Sequence, residues 1–182
     1  MNRKTLYSVL IFTVTGTVTC ILTGITFFGL EVFETKSPFF QFLVYGIIGS
    51  ISFIFFKLKR YRDALFILIL LFLFDILWIG SKFPITHLIY YLSVISGLFI
   101  FSKYFFIQTV TIKYARPLIL ASILALLFVV GFFTLKLIYA SGQGKLLPFK
   151  NMPVGFLIGL GLGIGVELSE YLLSRSEALK DL

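Results

Sequence analysis

Pro117-Leu-Ile-Leu-Ala-Ser-Ile-Leu-Ala-Leu-Leu-Phe-Val-Val-Gly-Phe-Phe-Thr-Leu-Lys-Leu-Ile-Tyr139 carries no charge before Lys136. A bilayer core about 30 Å thick takes roughly 20 apolar residues of helix to cross, and a spanning helix satisfies its own backbone hydrogen bonds. This stretch therefore reads as a transmembrane helix, and the chain returns to the same pattern five more times. The spans read as Thr5–Leu30, Pro38–Phe56, Ala64–Gly80, Pro84–Phe106, Pro117–Tyr139 and Pro153–Leu173. Four of them open on proline, which suits the first turn of a helix because its missing N–H would be unsatisfied there anyway. The expected fold is all-α: one polytopic membrane domain over residues 1–182, with six helices arranged as three hairpins.

Composition agrees with that reading. Hydrophobic residues make up 59% of the 182 residues and charged residues 13%, about half the charged share of an ordinary soluble domain. Six spans leave only short loops and no room for an extramembrane catalytic domain. The first span has a basic start at Arg3-Lys4, but its apolar run is longer than a signal-peptide core and no Ala-x-Ala-like site follows, so it reads as a retained helix. The single cysteine, Cys20, lies inside that span and cannot form an intramolecular disulfide.

The basic residues set the orientation. With the N-terminus inside, Arg3, Lys4, Lys57, Lys59, Arg60, Arg62, Lys103, Lys113, Arg116, Arg175 and Lys180 share the cytoplasmic side. Lys36, Lys82, Lys136, Lys145 and Lys150 lie on the other. Eleven against five, in short loops, predicts both termini in the cytoplasm of a cell whose inner (plasma) membrane holds the protein. Much of the net charge of +8 is then a topology signal and a surface for anionic membrane lipid. Nucleic acid is not an expected partner, because no soluble fold presents these residues.

Helix packing is written in the small residues. Gly155, Gly159 and Gly163 recur every four residues, with Gly161 and Gly165 beside them, and Gly16, Cys20 and Gly24 repeat the interval next to a Thr15, Thr19, Thr23 stripe. Such spacing lets backbones approach closely in lipid. It serves the interior of the bundle or, on the first or sixth helix, a membrane-protein partner or second copy. The returning helices also compare loosely: Tyr45 and Tyr91 each fall seven residues after a proline, and Lys57 and Lys103 nineteen after.

Ionisable groups inside the membrane are costly and face a cavity or an opposite charge. Asp75 lies five residues before Gly80, and Lys136 at the outer end of the fifth span is its candidate partner. Tyr90, Tyr91, His87 and Trp78 fall near the same outer level, so a substrate pocket formed by Asp75, Trp78, His87, Tyr90, Tyr91 and Lys136 is one expectation. An ion pair inside an aromatic belt is the other. Glu167 is buried two turns from the inner end of the sixth span, and Lys103 or Arg116 is expected to pair with it. One histidine cannot supply a metal-ligand cluster, so no metal, cofactor or catalytic residue is expected. Two functions stay open: a solute-binding subunit of a transporter with an outer-leaflet pocket, or a non-catalytic subunit of a larger membrane complex.

Overall fold

In the structure, a computed structural model, residues 3–33, 41–74, 84–105, 115–138 and 151–175 are described. Each element among them is helical and none is a strand. The elements are α1 (Arg3–Phe28), α2 (Gln41–Lys57), α3 (Tyr61–Phe74), α4 (Pro84–Ile100), α5 (Arg116–Ile138) and α6 (Asn151–Arg175). A 3₁₀ turn, Gly29–Phe33, extends α1, and a π-helical turn, Phe101–Phe105, extends α4. Pro84, Pro117 and Pro153 sit within the first three residues of α4, α5 and α6, where proline costs no helical hydrogen bond. Pro38 lies outside the described residues.

Three helices have the length and apolarity to cross a bilayer: α1 over Leu6–Phe28, α5 over Arg116–Ile138 and α6 over Met152–Arg175. The apolar stretches Phe42–Lys57 and Leu88–Tyr104 are shorter, and α3 is described over 14 residues.

The helices alternate in direction. Gly16 meets Gly165 while Cys20 meets Gly161, and Pro117 meets Gly163 while Ala121 meets Gly159, so α6 runs antiparallel to both α1 and α5. It lies between them, making the most extensive packing in the molecule. Further contacts of α1 with α2, α2 with α4 and α4 with α5 close a ring of five helices, inside which α2 also touches α6. Helix α3 rests on the outside against α2 and only lightly against α4, its sequence neighbour. The first and third hairpins are thus close-packed pairs, whereas the middle one is splayed.

Its composition explains the splay. Helix α3 holds no glycine, serine or threonine over Tyr61–Phe74. Gly97 of α4 turns toward α5, where an added Cβ would meet Leu124 and Leu127. Across the groove between them, α3 offers only Ala64 and α4 only Ser96 as small residues. By contrast, the alternating glycines of α6 face both ways, since two residues along a helix is about 200° around it. A Cβ on Gly159 would come within 2.6 Å of Ala121 Cα, and one on Gly161 within 2.7 Å of Cys20 Cα.

The core is aromatic and aliphatic. Phe12, Phe42, Tyr45, Phe53, Phe101 and Phe128 are among its largest fully buried side chains. A void of about 10 Å³ between Phe12, Gly49, Phe53 and Leu162 has room for about one water molecule.

Candidate functional site

The α2–α3 turn shows how one end of the molecule becomes basic. Helix α2 closes with Arg60 N–H donating to the Phe55 carbonyl at 2.8 Å and Lys59 N–H to the Phe56 carbonyl at 3.0 Å. This is the Schellman arrangement, and it places Lys59 at φ 58°, a conformation that glycine adopts with less strain. Asp63, in the first turn of α3, pairs with Arg60.

Three carboxylates and a pair of hydroxyls tie this end together. Glu167, on α6, lies 3.2 Å from Nη1 of Arg116 at the start of α5, and the Arg116 side chain is 7% exposed. Glu170, one turn later, pairs with Lys57 at the end of α2. Between them Ser169 meets Thr15 of α1. Thr15 Oγ1 also lies 2.6 Å from the Ile11 carbonyl, and Ser169 Oγ 2.6 Å from the Gly165 carbonyl, so each hydroxyl has a backbone acceptor of its own helix as well as the other hydroxyl. The last turns of α6 thus reach α5, α1 and α2 within four residues. One turn further along α1, Thr19 Oγ1 sits 2.7 Å from the Gly161 carbonyl.

Arg116 is therefore the partner of Glu167, and Lys103 is not. Lys103 lies in the π-helical turn at the same end as Lys57. Helices α2 and α4 run parallel, with Tyr45 against Tyr91 at 5.5 Å between ring centroids and Phe53 against Phe101 at 6.2 Å, so the two lysines share a level. The ammonium of Lys103 lies 5.7 Å from the Phe99 ring centroid and 5.0 Å from that of Tyr104.

Beside Lys103 the splay between α3 and α4 leaves an open groove of about 660 Å³. Phe56, Tyr61 and Phe99 form one wall, their ring centroids 5.5 to 6.1 Å apart. Ala64, Leu65, Leu92 and Ile95 continue the apolar lining, with Ser96 and Lys103 as the polar exceptions beyond Tyr61. Leu65 is 57% and Leu92 44% exposed, so the groove opens sideways between the helices.

The sequence-predicted outer site is described only in part. Asp75 and Trp78 lie outside the described residues. His87 stands on the first turn of α4 and its side chain is outside the description. Lys136 is exposed near the end of α5. Tyr90 and Tyr91 are buried, Tyr91 edge-on to Tyr45 and Tyr90 5.0 Å from Phe128, inside a filled aromatic cluster. Gly16, Gly155, Gly159 and Gly163 all meet neighbouring helices of the same chain, and Gly24 is buried.

The groove was missed because its signal is a lack: α3 has no small polar residues with which to meet α4. Among the described residues no group of three His, Cys, Asp or Glu converges on a metal-sized site. No protein-family model, curated protein sequence or solved structure matches the chain.

Proposed function

We propose that this chain is a small multi-pass membrane protein of the solute-binding, transport type, whose ligand site is the groove between α3 and α4. The observation that carries the reading is that groove: about 660 Å³ of open, mostly apolar space with one cation, beside a tightly filled ring of helices. Ligand sites combine apolar walls with a few fixed polar groups. The six-span topology, the single domain and the cytoplasmic termini belong to the same proposal. Their support is the alternation of helix direction and the gathering of Lys57, Lys59, Arg60, Arg62, Lys103, Arg116 and Arg175 at one end of the bundle. The filled aromatic cluster around Tyr91 favours the second reading, a non-catalytic subunit of a membrane complex.

Thermal stability of the detergent-purified protein against a panel of metabolites, vitamins, amphiphilic acids and ions separates the readings, because a ligand that binds only the folded state raises Tm by mass action. The expected result is a stabilising ligand whose effect is lost in Leu92→Trp, which fills the groove, and kept in Asp75→Asn. The opposite pattern moves the site to Asp75. No response to any ligand, together with stoichiometric co-purification of a membrane partner, overturns transport in favour of the subunit reading.

A further inference from the structure

We infer that the α3–α4 groove binds an anionic lipid drawn from the surrounding bilayer, with an acyl chain along the groove wall and the phosphate at Lys103. This names a ligand class for the site proposed above and rests on that reading.

The first support is access. The groove opens sideways past Leu65 and Leu92, where a membrane helix meets acyl chains. From Leu92 to Lys103 its α4 wall runs for eleven residues, about 16 Å of helix. Apart from Ser96, that wall presents only apolar groove-lining side chains before the lysine. A polar solute would leave its hydrogen-bonding groups unsatisfied against such a wall.

The second support is charge. At this end of the bundle Lys57 is matched by Glu170, Arg60 by Asp63 and Arg116 by Glu167. Lys103 has no carboxylate partner among the described residues, and it is the lysine that lines the groove. The ring faces of Phe99 and Tyr104 steady its ammonium. Lys103 also occupies a π-helical turn, a distortion that recurs at functional sites. An apolar channel ending in an unmatched cation complements an acyl chain ending in a phosphate. Lys59 and Arg62, on the adjoining turn, add positive potential at the same level.

The test is lipid retention by the full chain, delipidated in detergent and titrated separately with phosphatidylglycerol and phosphatidylcholine of the same acyl chains, read by native mass spectrometry. The wild type is expected to retain phosphatidylglycerol preferentially. Lys103→Gln should lower that retention about fivefold and leave phosphatidylcholine unchanged, the factor expected for one basic residue at an anionic headgroup. Lys103→Arg should preserve the preference, and Ser96→Phe, which fills the groove without touching the charge, should lower retention of both lipids. Inorganic phosphate should not compete. An unchanged preference in Lys103→Gln, competition by inorganic phosphate, or undiminished lipid retention in Ser96→Phe overturns the inference, as does a chain dimer that Ser96→Phe dissolves while lipid binding persists. Lipid selectivity in a protein that moves no solute across reconstituted vesicles overturns only the transport reading. A solute response without lipid selectivity overturns only the inference.

Discussion

Glu167 and Glu170 are three residues apart on one helix, yet their surroundings give them unequal weight. Arg116 is nearly buried, so neutralising Glu167 removes a charged partner from a desolvated guanidinium. Lys57 and Glu170 are each about a third exposed and are screened by water and salt. Glu167→Gln is expected to destabilise the protein by about 2–3 kcal/mol. Glu170→Gln should cost under ~1 kcal/mol. Thermal denaturation in detergent ranks the two, and equal shifts would contradict this assignment. Pairing Glu167→Gln with Arg116→Met should recover part of the loss, because the double variant no longer holds a desolvated cation opposite a neutral amide. Sequence alone narrowed the partner of Glu167 to Lys103 or Arg116. The choice between them depends on α5 packing along α6 while the Lys103 side chain faces the groove beside α3, a relation that no local pattern encodes.

At the scale of the helix, α6 was legible and α3 was not. Glycine every second residue announces a helix with two close-packed faces. The intended neighbours were ambiguous in sequence because a glycine stripe looks the same whether it meets its own chain or another. In the structure both stripes are occupied, one by α5 and the other by α1. Gly159→Ala places a methyl group against the Ala121 backbone, which cannot move aside like a side-chain end. A loss of about 1–3 kcal/mol is expected, the range for overpacking a filled interface. The exposed Ile164→Ala, on a surface not engaged by this packing, serves as the control and should shift Tm much less. Beyond Asp63, helix α3 is made only of large apolar residues and one alanine. Its sequence predicts burial in lipid but gives no hint of where it sits, so the groove it leaves had no sequence signature.

For the whole molecule, alternation of direction brings the start of α1, the α2–α3 turn, the end of α4, the start of α5 and the end of α6 to one end. Single cysteines at Leu58 and Arg175 should react with a membrane-impermeant maleimide from the same side of sealed vesicles, and one at Lys136 from the opposite side. Labelling of Leu58→Cys and Arg175→Cys from different sides would break the six-span topology. Cys20, fully buried, should stay silent. The order of helices along the chain adds a constraint on assembly. The helix that sits between α1 and α5 is the last of the six to be synthesised. On the proposed topology, until it enters the membrane the side of α1 around Thr19 that Gly161 and Gly165 cover, and the Pro117–Ala121 face of α5, have no permanent occupant. Closing that contact joins segments some 145 residues apart, which places it among the slowest steps for a chain of this length. During that interval the earlier helices present small-residue surfaces to whatever else the membrane contains, and a chaperone or insertase that shields them would act on a nascent protein awaiting its keystone.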